Sequence, residues 1–268
     1  MRFMLRNRVV VLTGAASGIG AALAQCLASK GAHLALVDRD RPALEEIAET
    51  VRRTGPPVRS YVADLSDPAA IQQLPQAVLA DLGPVSVLIN NAGIALTGTF
   101  EQATAEQFDR VMAINFQAPV AMVRAFLPQL RNSGSAQIVN LSSLFGLIGV
   151  AGQVAYCASK FALRGFSEAL RAELLTTDIG ISVVHPGGIR TKILVSSDVG
   201  AGMDPREAAA RKTSGQRFLR MEPRKAAERI VTGIERRENR ILVGADAHVL
   251  ELLQRLLPAS YGRLLSIF

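Results

Sequence analysis

The sequence predicts an α/β protein built on a doubly wound parallel sheet with helices on both faces. Three observations predict it. Short apolar runs alternate with longer segments of helical periodicity along most of the 268 residues. A glycine-rich turn, Gly14-Ala15-Ala16-Ser17-Gly18-Ile19-Gly20, joins the first apolar run to the first helical segment. The remaining polar clusters follow apolar runs, where the strands of such a sheet end and its ligands bind.

Taken in order, Arg8-Val9-Val10-Val11-Leu12-Thr13 is continuously apolar after its first residue, as a strand buried on both faces should be. The glycine turn then lets backbone approach a ligand closely, and the helix beginning near Ala22 offers unpaired N–H groups to a pyrophosphate. Strand Ala32–Val37 ends at Asp38, eighteen residues after Gly20. A carboxylate there can accept both hydroxyls of an adenosine ribose and repels a 2′-phosphate, which favours NAD. Arg39 leaves NADP open. Helix 41–53, strand 58–62 with Asp64-Leu65 after it, and helix 67–81 continue the pattern. Strand 85–89 precedes Asn90-Asn91-Ala92-Gly93, a helix over about 104–130 contains Asn115, and strand 136–142 ends at Ser143. Helix 153–175 and strand 181–184 follow, the latter running into His185-Pro186-Gly187-Gly188.

Tyr156 and Lys160 are four residues apart on the predicted helix 153–175, so both lie on one face, one turn apart. A neighbouring ammonium favours phenolate and is expected to lower the pKa of Tyr156, fitting it to trade protons. Ser143, at the end of its strand, is placed to meet the same substrate oxygen.

As an ordered set, Thr13-Gly14-x-x-x-Gly18-x-Gly20, Asp64-Leu65, Asn90-Asn91-Ala92-Gly93, Asn115, Ser143, Tyr156-x-x-x-Lys160 and Pro186-Gly187 resemble the short-chain dehydrogenase/reductase family, in its compact single-domain branch. The resemblance implies a Rossmann-like sheet of about seven strands, the last at Ile241-Leu242-Val243. It implies that Tyr156 is general acid in carbonyl reduction and base in alcohol oxidation, that Lys160 serves phenol and nicotinamide ribose, and that Ser143 polarises the substrate oxygen. Asn115 would hold a water relaying protons from Lys160. Gly14, Ser17, Gly18, Ile19, Gly20, Asp38 and Arg39 would hold the adenosine and phosphates, with Asp64 and Leu65 at adenine. Asn91, Ala92 and Gly93 would line the cofactor, and Pro186, Gly187, Ile189 and Thr191 would turn towards the carboxamide. His185 reads as structural, since the proton chemistry is already assigned.

The expected activity is therefore NAD(P)-dependent hydride transfer to or from a secondary alcohol or ketone. A catalytically silent dinucleotide-binding regulator and an isomerase on the same fold are the competing readings; the intact catalytic set and the compact chain argue against them. Residues 192–218 occupy the family's substrate-lid region, and Leu144, Leu147, Ile148 and Val150 make the expected pocket lipophilic. A symmetric dimer or a tetramer, paired through helices 104–130 and 153–175, is what the family implies.

Composition narrows the rest. At 49% hydrophobic, residues 1–268 suffice for one core and read as one domain. Of the formal charge of +7, residues 1–189 contribute 15 basic and 14 acidic side chains, and residues 190–268 contribute 15 and 9. Those basic residues are scattered and lack interleaved aromatics, so nucleic acid is not the expected partner. Cys26 and Cys157, both on predicted helices, suggest neither a disulfide framework nor a metal site, and the expected compartment is a reducing cytosol. No signal peptide and no membrane-spanning run are read. The apolar extension 248–268 places Val249, Leu250, Leu252, Leu253, Leu256 and Leu257 on one broad helical face, expected to pack near the substrate entrance, within the same chain or against the dimer partner. Its end, Leu264-Leu265-Ser266-Ile267-Phe268, is the part expected to be able to meet a membrane.

Overall fold

The computed structural model describes the backbone of residues 2–265 and side chains as far as Arg263. β1 (Val9–Thr13) leads through the glycine turn into α1 (Gly18–Ser29), followed by β2 (His33–Asp38), α2 (Arg41–Arg52), β3 (Val58–Val62), α3 (Pro68–Leu82) and β4 (Val85–Asn90). The chain continues with β5 (Leu96–Thr97), α4 (Ala105–Met112), α5 (Ala118–Asn132), β6 (Ala136–Leu141), α6 (Val154–Glu173) and β7 (Ile179–Pro186). Then come β8 (Asp198–Val199), α7 (Pro205–Gln216), α8 (Pro223–Glu235), β9 (Arg240–Val243), α9 (Ala245–Leu256) and α10 (Tyr261–Leu265).

Seven strands form one sheet in the order β3-β2-β1-β4-β6-β7-β9, all parallel, as the sequence leads one to expect. Side chains alternate between its faces. On one face Val10, Leu12, Leu34 and Leu36 pack with α1, α2 and α8. On the other, Val9, Val11, Leu88 and Ile138 pack with α3, α5 and α6. The strand order reverses between β1 and β4, which opens a crevice beyond their carboxyl ends. Local chemistry sets the helix starts: Asp40, Asp67 and Asp204 cap α2, α3 and α7, and Thr104 with Gln107 forms a capping box on α4.

Three expectations are refined or corrected by the fold. The helix anticipated over about 104–130 runs without a break over Ala105–Asn132, but a π-helical turn, Ala113–Gln117, which holds Asn115, separates α4 from α5. The reason is local competition: the side-chain amide of Asn115 bonds the backbone of Ile94, and an extra residue in the turn aims it there.

The same stretch, Ala105–Asn132, contains a window of mean hydropathy 1.3 and is long and apolar enough to cross a membrane, which no run was expected to be. In the fold its Met122, Val123, Phe126 and Leu130 lie in the core against the sheet.

The third concerns α9, whose apolar face was expected to pack within the chain or against a dimer partner. Val249, Leu252 and Leu256 are 64%, 55% and 69% exposed, so that part of the face is not covered by the chain itself. The helix docks instead through Ala247, Leu250 and an ion-pair cluster in which buried Glu251 meets Arg240 at 3.0 Å and also holds Arg255. A buried carboxylate needs its partners, and that requirement fixes the helix's rotation more firmly than its greasiest stripe does. The side chains of the terminal Leu264-Leu265-Ser266-Ile267-Phe268 run lie outside the described residues.

Candidate active site

A continuous cleft of about 1540 Å³ crosses the carboxyl ends of the strands. It exceeds the roughly 300–1,000 Å³ of a single small-molecule site, leaving room for two ligands side by side. Of the predicted site residues, all but Gly20 and Asn115 line it.

The glycine turn forms one end. Gly14 and Gly18 have φ of +64° and +54°, the left-handed region that glycine tolerates best. A Cβ on Gly14 would meet the Ala92 backbone at 2.8 Å, so this glycine allows the turn to nest against the segment after β4. Gly20 serves packing: a Cβ there would strike the Gly14 carbonyl. Thr13, not singled out in the sequence for a role, ties the two segments together. Its hydroxyl accepts the N–H groups of Asn91 and Ala92 at 3.0 and 3.1 Å, while Asn91 Nδ2 donates to the Thr13 and Gly14 carbonyls. The N-cap Ser17 makes no side-chain cap bond and the first turn of α1 carries no acidic residue. Its N–H donors and the positive end of the helix dipole therefore favour an anion.

Asp38 ends β2 with its carboxylate accepting from the N–H groups of Ala16 and Asp40 at 3.0 and 3.1 Å. It thus braces the glycine turn as well as facing the cleft beside Arg39. Asp64 accepts from the backbone and hydroxyl of Ser66, bonds that hold its carboxyl below the usual range.

Ser143, Tyr156 and Lys160 meet at the other end. Ser143 caps a 3₁₀ turn, Leu144–Gly146, accepting from Phe145 N–H at 3.1 Å. Burial pushes the Tyr156 phenol up to about 12, against the pull of a hydrogen bond with Ser143. Lys160 Nζ donates to the Leu141 carbonyl at 2.9 Å, and burial lowers its pKa to about 8. The lowering of Tyr156 expected from helical spacing is therefore corrected. Nζ stands 5.6 Å from the Tyr156 ring centroid, and desolvation of the phenol dominates.

Asn115 is fully buried and stands behind the wall. Its Oδ1 accepts from Ile94 N–H at 2.8 Å, and Nδ2 donates to the Ile94 carbonyl and to Ser159 Oγ. Both amide protons are thus engaged within the chain. A Cβ on Gly93 would sit 3.2 Å from Asn115 Oδ1 and 3.3 Å from Lys160 Nζ, so a side chain there would crowd both groups.

Two residues given no catalytic part in the sequence act on this end. The buried ring of His185 donates from Nδ1 to the Ser143 carbonyl at 2.9 Å, and burial lowers its pKa to about 4, so the ring is neutral. Asp246, at the start of α9, accepts the Gly188 N–H at 2.6 Å and lies over Gly187, fixing the turn after β7. His185 stood beside a recognisable motif; Asp246, sixty residues from Pro186, carried no such signal.

This sheet, with a phosphate-suited turn at one end and a Ser-Tyr-Lys cluster at the other, defines a dinucleotide-dependent oxidoreductase class. The family model for short chain dehydrogenase matches residues 8–200, and the chain belongs to that family. SadH of Mycobacterium tuberculosis is 40% identical over 262 residues, covering 97% of this chain and 94% of that protein. A short-chain dehydrogenase/reductase from Burkholderia phymatum in complex with NAD superposes with TM-score 0.88 at 29% identity, over 95% of each chain. A metagenomic short-chain oxidoreductase in complex with NADP gives 0.73 at 30% identity, over 90% of this chain and 98% of that one.

Proposed function

We propose that the protein transfers hydride between a nicotinamide dinucleotide and the carbinol or carbonyl carbon of a lipophilic secondary alcohol or ketone. The observation that carries the reading is the meeting of Ser143, Tyr156 and Lys160 at one end of a cleft whose other end is the α1 N-terminus with Asp38. Relatives of this fold in complex with NAD and with NADP support a nicotinamide cofactor, and Asp38 favours NAD.

The residues present fit that group. The open N–H donors after Ser17 suit a pyrophosphate, Asp38 and Arg39 would hold the adenosine ribose, and Asn91, Gly93, Pro186, Gly187, Ile189 and Thr191 line the cleft between them and Tyr156. The bound nicotinamide supplies or takes up the hydride. Ser143 and Tyr156 bind the substrate oxygen between their hydroxyls, and in reduction the Tyr156 phenol gives its proton to that oxygen as negative charge develops. In oxidation the phenolate takes the proton back. Lys160, with Nζ 5.6 Å from the centroid of the Tyr156 ring, stabilises the phenolate and would hold the nicotinamide ribose.

Leu144, Ile148, Val150, Ile193 and Leu194 make the substrate end apolar. The segment 192–218, contributing Lys192, Ile193, Leu194, Ser214 and Phe218 to the wall, is its lid. Two free cysteines fit a reducing cytosol. A two-fold dimer through α4, α5 and α6 fits the exposed Val154 and Phe161 on α6, and light scattering at micromolar concentration tests it. Function is tested by thermal shift with NAD and NADP, then by reduced-nicotinamide absorbance with apolar ketones and alcohols. Turnover should disappear in Tyr156→Phe while nucleotide binding persists; full turnover by Tyr156→Phe would overturn the proton assignment.

A further inference from the structure

The substrate wall formed by Leu144, Ile148, Val150, Ile193 and Leu194 is apolar, and the lid segment adds charged and polar side chains to it, Arg211 among them. Arg211, in the middle of α7, reaches across to the loop between Ser143 and Tyr156, where a Cβ on Gly152 would collide with its Nη1. Its Nε is held by Glu207 Oε1 at 2.9 Å, and the other Glu207 oxygen accepts from Gln102 Nε2 at 3.1 Å. Glu207 therefore fixes the guanidinium by one edge and is itself fixed. The outer edge, Nη1 and Nη2, has no hydrogen-bond acceptor among the described residues, and the side chain lines the cleft.

An arginine recruited only to staple the lid would direct its fork at carbonyls. Lys212, the next residue, does that, donating to Val195 and Ser197 carbonyls at 3.1 and 2.8 Å. Arg211 instead leaves Nη1, beside Gly152, and Nη2 without an acceptor among the described residues at the wall of the cleft, and a guanidinium so held can offer paired N–H donors to two oxygens of a carboxylate or phosphoryl group. Neutralisation by Glu207 is incomplete locally, because α7 and the residues after it carry Arg206, Lys212, Arg217 and Arg220 against Asp204 and Glu207. An uncharged lipophilic substrate would leave the fork to water alone.

Resting on the oxidoreductase reading, we infer that Arg211 is a specificity-determining residue: the substrate is a lipophilic ketone or alcohol with an anionic head, which Arg211 binds at the lid while Ser143 and Tyr156 hold the reacting oxygen.

Calorimetry of the protein saturated with nucleotide, using decanoate, decyl phosphate and decanol, reads the head-group preference directly. One anion should bind at least about tenfold more tightly than decanol, as a charge-assisted pair partly screened by water allows. The stronger of the two identifies carboxylate or phosphoryl as the source. Arg211→Met should bring the three probes within about twofold, and Arg211→Lys should restore part of the preference. Straight-chain oxo acids compared with their methyl esters should show the same contrast in KM, with kcat little changed. Equal wild-type affinity for all three probes, or a preference that survives in Arg211→Met, overturns the inference. Should Arg211→Met fail to fold, the wild-type contrast and Arg211→Lys still decide it. Turnover of neutral ketones with no preference for anions sinks the head-group site alone. Arg211-dependent decanoate binding without turnover of any ketone sinks the oxidoreductase reading alone.

Discussion

The phenol oxygen of Tyr261 accepts the backbone N–H of Gly149 at 3.0 Å, fastening the C-terminal segment to the loop that follows Ser143. Leu250 and Tyr261 pack there against Leu144, Leu147 and Ile148, so the end of the chain supports the substrate wall. Tyr261→Phe keeps the packing and removes one hydrogen bond, a loss of about 1 kcal/mol. The melting temperature should fall by about 2–4 °C, and KM for bulky ketones should rise by up to about fivefold with nucleotide affinity unchanged. Scanning calorimetry and steady-state kinetics check both; an unchanged KM would mean the loop keeps its shape without the tail.

His185 supports Ser143 from behind through its carbonyl. Its folded pKa of about 4 lies below the ordinary 6.5, so the unfolded chain binds the extra proton between those values. Stability from this ring is complete above about pH 6.5 and is lost as the pH falls towards 4. His185→Phe should flatten that part of the stability profile and lower kcat, because Ser143 loses its brace. His185→Asn, which keeps a donor, should recover kcat but not the acid sensitivity. Urea unfolding across pH 4–7 separates the two effects.

Lys160 gives a second window of the same sign at higher pH. Its folded pKa of about 8 is below the ordinary 10.5, and the charged form is the one that burial penalises. The cost to stability is present in full below pH 8 and is relieved as pH rises from 8 towards 10.5, where the unfolded chain holds more protons. The difference in stability between wild type and Lys160→Met should therefore shift in favour of wild type over that window. Lys160→Met should also lose turnover and weaken nucleotide binding. A pH-independent difference would mean that Lys160 is more hydrated than its surroundings imply.

Asp38 should make NAD bind more tightly than NADP. Asp38→Ala removes both the ribose acceptor and the repulsion of a 2′-phosphate, and should narrow the preference by about tenfold or more. It also strips the acceptor from Ala16 N–H, so affinity for both nucleotides should fall somewhat. Tighter binding of NADP by the unmutated protein would assign the choice to Arg39.

Sequence periodicity determined the sheet, its helices and the strand ends, because strands buried on both faces must be apolar throughout and helices must show one apolar stripe. It also located Gly14, Asp38, Ser143, Tyr156 and Lys160, since their chemistry depends on residue type at fixed offsets from those ends. Proton affinities were not legible there, because the Tyr156–Lys160 spacing says nothing of how much water each group loses. The rotation of α9 was likewise decided in three dimensions, where the buried carboxylate of Glu251 found Arg240 on β9 and left Val249, Leu252 and Leu256 outside. Tertiary structure alone supplied the long-range partners: His185 to Ser143, Asp246 to Gly188, Tyr261 to Gly149 and Arg211 beside Gly152. Such pairs join residues tens of positions apart, and only the packing of elements brings their donors and acceptors within reach.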